Sequence, residues 1–163
     1  MNESFLSKAM DLYGDAVYRI ALCRLQNLED AQDVFQDTFL QLFQEKEAAH
    51  WEDERIKAWL LRVALNKCID VGRCRKVHSY ISLDDIPEFS GSNSLEYVEL
   101  WDAVNRLPAK QRTIFHLYYS EGYKTDEIAD ILKTPPSTVR VYLNRARKQL
   151  RKELDNHENL PLL

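Results

Sequence analysis

The 163-residue chain has only four glycines, five prolines and three cysteines. So few breakers beside 45% hydrophobic residues predict long uninterrupted helices around buried cores, not a turn-rich β protein. Cys23, Cys68 and Cys74 are odd in number and lack paired spacing, which excludes a disulfide framework and points to a reducing compartment. Cys68, Cys74 and His78 make no metal set, because residues six apart on a helix do not share a face. No run of eighteen apolar residues is present to span a bilayer, and residues 1–8 lack a secretory core, so a cytoplasmic protein is expected. The histidines, at 50, 78, 116 and 157, are scattered. No Ser-His-Asp, zinc-protease, phosphate-loop or dinucleotide pattern occurs, so no enzyme, cofactor or metal is expected.

What the chain does have is charge in blocks. The net charge of −4 conceals four segments. Residues 29–54 hold nine acids against Lys46, and residues 57–76 hold six bases against Asp70. Residues 80–102 hold six acids and no base, and residues 133–152 hold seven bases and no acid. Exposed charges are screened beyond about 8 Å at physiological ionic strength. Local patches therefore decide contact with nucleic acid more than the total does.

The last basic block has the pattern of a helix-turn-helix. Thr125 offers a cap to a first helix with Asp126 and Glu127 in its opening turn, and Ile128, Ala129, Ile131 and Leu132 form its apolar stripe. Thr134 and Pro135 suit the cap and first position of a second helix. Along that helix Val139, Leu143, Ala146 and Leu150 recur at three- and four-residue spacing, which predicts one buried face beneath a cationic one. Cap, turn and charge agree, as they would in a helix that reads DNA and would not in a chance run of lysines.

Helical period also runs from Phe5 to Leu25, and resumes after a candidate cap at Asn27 through Val34, Phe39 and Phe43. After a loop at 46–53 with Trp51 at its tip, it continues over about 54–75, with Trp59, Leu60, Val63, Ala64 and Ile69 inward. Residues 77–94 are rich in Ser, Gly, Pro and acids with weak period, and read as a flexible acidic linker. Two further helices, with Pro108 opening the second and Gly122 ending it, precede the helix-turn-helix. The expected architecture is all-α: a three-helix domain over 1–76, the linker over 77–94, and a four-helix domain over 95–155.

These residues resemble a family, the extracytoplasmic-function sigma factors of bacterial RNA polymerase. The first domain carries the resemblance in the string from Asp30 through Asp33, Gln36 and Asp37 to Leu40, followed by Ala58-Trp59-Leu60-Leu61-Arg62-Val63-Ala64-Leu65-Asn66-Lys67-Cys68-Ile69-Asp70. The second carries it in Leu107-Pro108-Ala109-Lys110-Gln111-Arg112, Glu121-Gly122-Tyr123, Glu127-Ile128-Ala129, Thr138-Val139-Arg140 and Arg145-Ala146-Arg147. A helix-turn-helix alone is weakly specific, whereas both strings in this order, around an acidic linker, are strongly so.

The resemblance implies a promoter-specificity subunit whose second helix binds core RNA polymerase through Asp30, Asp33, Gln36 and Asp37. It implies that the third helix and the preceding loop recognise and help melt a downstream promoter element. Lys57, Arg62, Lys67 and Arg73 would meet phosphates there, and Asn66 a base edge. Trp59 lies in the apolar period and reads as core. The upstream element would fall to Ser137, Thr138, Arg140, Val141, Asn144, Arg145, Arg147 and Lys148, with the division of arginines between bases and phosphates left open. Lys133 and Ser137 stand where family members often have glycine, so the turn geometry depends on them. Asp84, Asp85 and Glu88 of the linker would either mimic nucleic acid inside the polymerase or simply be solvated. A membrane-linked anti-sigma factor is the expected inhibitory partner.

Two other functions fit parts of this pattern. A stand-alone helix-turn-helix regulator would bind duplex DNA without polymerase. A sigma-like decoy would bind polymerase or an anti-sigma protein and be indifferent to loss of Arg140, Arg145 and Arg147.

Overall fold

The computed structural model describes residues 3–74 and 95–154, which belong to two compact units divided at residue 81. The segment expected as linker, 77–94, lies outside the described residues, and with it Asp84, Asp85 and Glu88. All regular structure among the described residues is helical.

The first unit is a three-helix bundle of α1 (Glu3–Leu25), α2 (Leu28–Gln44) and α3 (Asp53–Cys74), each packed against the other two. Its core joins Val17, Ile20 and Ala21 of α1, Ala31, Val34 and Leu42 of α2, and Leu60, Leu61 and Ala64 of α3, all at most 1% exposed. The chain reverses between α1 and α2 with Gln26 in the left-handed region, at φ 53°. Asn27 then caps α2, its Oδ1 accepting the Asp30 N–H at 3.0 Å, as the sequence predicted. Thr38 is fully buried in α2, and its hydroxyl donates to the Val34 carbonyl at 2.6 Å, so that no polar atom is stranded there. A single 3-10 turn (Ala48–His50) leads into α3.

The second unit comprises α4 (Leu95–Asn105), α5 (Ala109–Tyr119), α6 (Thr125–Leu132) and α7 (Pro136–Glu153), with α7 packed on all three others. Between α4 and α5 lies a buried arginine. Arg112 is 6% exposed and donates from Nη1 to the carbonyls of Leu107 at 2.7 Å and Asn105 at 3.5 Å. It thus places a cation against the carbonyls at the C-terminal end of α4, where helix geometry leaves no intrahelical donor. His116 is a core residue, 1% exposed beside Trp101, with Nε2 3.6 Å from the equally buried Glu121 carboxylate. Gly122 adopts φ +75° after α5, and the Tyr123 N–H returns to the Leu117 carbonyl at 3.0 Å.

The helix-turn-helix differs from the sequence expectation at three points. Thr125 is the first helical residue of α6, not its cap; Lys124 precedes it, with its N–H given to the Glu127 carboxylate at 3.0 Å. The second helix begins one residue later than expected, with Pro136 in the first turn and Pro135 ahead of it. Thr134 turns its hydroxyl back to the Leu132 carbonyl at 3.2 Å. The turn itself is closed by Lys133 in the left-handed conformation, φ 51° and ψ 50°, with the N–H groups of Lys133 and Thr134 both directed to the Ala129 carbonyl. Lysine therefore occupies the backbone state that glycine adopts freely, at a steric cost of about 1 kcal/mol. Lys133→Gly should raise the stability of this unit by up to about 1 kcal/mol, read as slower hydrogen exchange of the α6 and α7 amides.

Candidate nucleic-acid interface

The apolar stripe of α7 lies as the spacing predicted. Val139, Leu143, Ala146 and Leu150 are at most 2% exposed, which turns the opposite side of the helix to solvent. Of the eight residues expected to meet the upstream element, Ser137, Arg140, Val141, Asn144, Arg145 and Lys148 are exposed, and Thr138 and Arg147 are half-buried. Val141 is an aliphatic side chain left 45% exposed amid cations, a placement suited to a thymine methyl group. The C-terminal half of α7 extends the surface: Arg145, Lys148, Arg151 and Lys152 line an open groove together with Gln149, Glu153 and Gln111 of α5.

Arg147 departs from its neighbours. Its Nε–H donates to the Tyr119 hydroxyl at 2.7 Å, and its guanidinium stands 5.2 Å and 5.5 Å from the ring centres of Tyr118 and Tyr119. The two tyrosines at the end of α5 are the residues that sequence reading missed. No local pattern marks them, because the pairing joins positions 28 apart in the chain.

On α3 the expected downstream residues divide. Asn66 is exposed, while Lys57, Arg62 and Lys67 are half-buried. Helical spacing puts Arg62 and Asn66 on one face, with Lys57 on the opposite, inward side; the side chain of Arg73 falls outside those described. At the start of α3, Trp59 is half-buried and not in the core where its period placed it. Its ring centre is 5.7 Å from that of Trp51, and the Arg55 guanidinium lies 4.4 Å over Trp51. An aromatic corner with a cation against it thus adjoins the face carrying Arg62 and Asn66.

The α2 residues also separate. Asp33, Gln36 and Asp37 form an exposed ridge that continues to Leu40, 55% exposed, whereas Asp30 is 6% exposed. Asp30 faces the bundle near Cys68. Burial pushes the Cys68 thiol up to about 12; the Arg24 charge opposes this, and Cys23 and Asp30 add to it. Among the described residues no His, Cys, Asp and Glu cluster could hold a metal ion, and no helix is long and apolar enough to cross a membrane.

Together, the four-helix unit, its turn and the cationic side of α7 define a DNA-reading helix-turn-helix protein with a second helical unit ahead of it. Two family models match in that order: Sigma-70 region 2 over residues 9–78 and Sigma-70, region 4 over residues 97–150. The chain belongs to the sigma-70 family of RNA polymerase sigma factors, in its extracytoplasmic-function (ECF) group. It is similar to the ECF RNA polymerase sigma factor SigW of Bacillus subtilis (strain 168), 28% identical over 162 residues, covering 89% of this chain and 86% of that one. It is also similar to the RNA polymerase sigma factor SigV of the same strain, 29% identical over 143 residues, 86% of each chain. Among solved structures, the sigma factor RpoE from Bartonella quintana, in complex with the anti-sigma factor NepR, matches with a TM-score of 0.75 at 22% identity, over 97% of this chain and all of that one (100%). CnrH, in complex with the cytosolic domain of CnrY, matches with a TM-score of 0.66 at 24% identity, over 96% of this chain and 92% of that one. These two likenesses establish the fold.

Three outcomes follow from the packing. Arg147→Ala should destabilise the second unit by about 1–2 kcal/mol through loss of its bond and ring contacts to the tyrosines. Arg140→Ala should stay within about 0.5 kcal/mol, both measured by urea unfolding. Cys68, with its thiolate suppressed at neutral pH, should resist iodoacetamide at pH 8 until the bundle unfolds, as followed by mass spectrometry.

Proposed function

We propose that this chain binds core RNA polymerase through the exposed ridge of α2 and directs it to promoters with two elements. The downstream element would meet α3 and the loop before it, and the upstream element the solvent side of α7. The observation that carries this reading is the opposition of charge between helices that each have one buried face. α2 contains four acids and no base, and its exposed Asp33 and Asp37 would be repelled by phosphate, so its partner is a protein. α7 contains six bases against Glu153, so its partner is a polyanion.

The first unit supplies a second feature that initiation requires. Opening a duplex costs a few kcal/mol per unstacked base, and an aromatic surface with an adjacent cation recovers part of that by stacking. Trp51, Trp59 and Arg55 supply such a surface beside Arg62 and Asn66. The division into 1–76 for polymerase and downstream DNA, and 95–155 for upstream DNA, follows from this assignment. Asp30, being buried, would support the ridge from behind while Asp33, Gln36 and Asp37 make contact.

The chain would act in the cytoplasm beside polymerase, as an initiation factor without catalysis of its own. An anti-sigma factor would hold it inactive, by analogy with RpoE, which was solved with NepR bound.

Gel shifts and run-off transcription with the purified chain test the reading. The chain alone should retain little duplex, and addition of core polymerase should give promoter-specific transcripts. If the chain alone protects a palindromic duplex and core polymerase is neither recruited nor activated, a stand-alone regulator is the better description. Asp33→Lys with Asp37→Lys should weaken binding to core polymerase at least about tenfold with the helical content unchanged. Lys148→Ala should lower the salt slope of promoter binding by about 0.9.

A further inference from the structure

Arg147 is of the residue type that reads guanine, and it lies on the DNA-facing helix, yet its guanidinium is already engaged. Nε donates to the Tyr119 hydroxyl at 2.7 Å. Tyr119 is itself fixed, its ring centre 4.5 Å from that of Phe115, which has no exposed surface. The rest of the fork reaches one turn back along α7, where Nη1 meets Oδ1 of the exposed Asn144 at 3.4 Å. That bond is long for a free pair, but its donor is charged and held in place from the other side. A guanidinium has donors and no acceptor, so the end of the Asn144 amide that it meets must be the oxygen. The part of Asn144 offered to DNA is then Nδ2, with its two donors.

We propose that Arg147 is a positioning residue which, anchored by Tyr119, makes Asn144 a donor-only reader. The base facing Asn144 in the upstream element is accordingly one that presents an acceptor in the major groove. Guanine offers N7 and O6, adenine N7 and thymine O4, whereas cytosine offers only its N4 amino donor. An asparagine free to rotate would satisfy either kind of edge by turning its amide over. Held by Arg147, it rejects cytosine. This deepens the assignment of α7 to the upstream element and rests on it.

Holoenzyme reconstituted from the full chain and core polymerase, offered promoter duplexes randomised across the upstream element, provides the test when the selected templates are sequenced. The wild-type profile should contain one position at which cytosine is depleted about tenfold, and Asn144→Ala should flatten that position alone. Tyr119→Phe, which removes only the hydroxyl, should readmit cytosine there with the salt slope unchanged. Arg147→Lys, which keeps the charge and loses the planar fork, should do the same. A wild-type profile without a cytosine-depleted position overturns the proposal, as does Tyr119→Phe retaining the full depletion. So does Arg147→Lys altering a position other than the one Asn144→Ala alters, which would make Arg147 a base reader itself. If the wild-type holoenzyme initiates but enriches no sequence across the randomised element, the assignment of α7 falls and the relay with it.

Discussion

The second unit depends on the burial of one stripe, Val139, Leu143, Ala146 and Leu150, beneath a helix that carries six basic side chains against one acid. Cations at i and i+4, such as Arg147 with Arg151 and Lys148 with Lys152, repel each other by a few tenths of a kcal/mol each. Fully burying an aliphatic side chain the size of valine or leucine contributes about 1.5–3 kcal/mol. The stripe, with three such side chains packed on α4, α5 and α6, therefore outweighs the repulsion and holds the helix in place from one side only. A helix fixed this way can keep a surface that would be unfavourable alone and becomes favourable against phosphate.

Fixing the stripe sets which residues face outward, but the pitch of α7 relative to α6 comes from the turn. Two N–H groups converging on the Ala129 carbonyl and two consecutive prolines leave the backbone little freedom there. At the other end, Arg147 bridges to the α5 tyrosines. The cationic face is thus braced before, beneath and beside, and DNA would meet a preformed surface, with less ordering left to be done on binding.

What the sequence made legible were features that depend on neighbours within a few residues. The stripe of α7, most of those of α1 and α2, the Asn27 cap and the stop at Gly122 are local periodicities or local hydrogen bonds that the structure contains, whereas Phe43 near the end of α2 and Ile69 of α3, expected inward, are 39% and 40% exposed. Properties decided by distant contacts were not legible. Nothing local says that Asp30 is covered while Asp33 and Asp37 are not, since all three are acids on one helix. Trp59 fitted the inward period of α3, yet lies at the bundle's edge because Trp51, arriving from the loop, provides a partner there. Arg147 has the same local signature as Arg140; only Tyr118 and Tyr119, almost thirty residues earlier, separate a half-buried brace from an exposed cation. At Lys133 the glycine rule anticipated trouble with the turn. The chain resolves it by accepting a left-handed lysine, whose cost is small beside the two hydrogen bonds the turn gains.

The same distinction between local and summed properties explains how a chain of net charge −4 serves as a DNA reader. In the first unit the acidic ridge of α2 and the polar face of α3 belong to adjacent packed helices, whose axes stand some 8–10 Å apart. That separation is close to the screening length of the cellular medium, about 8 Å. A partner docked on α2 therefore meets mainly acid, and one docked on the face carrying Arg55, Trp59, Arg62 and Asn66 meets cations, an amide and aromatic surface, although fewer than eighty residues carry both. Net charge governs solubility and long-range steering. The choice of partner at contact is made within one screening length, and there each helix acts through the residues its own buried stripe turns outward.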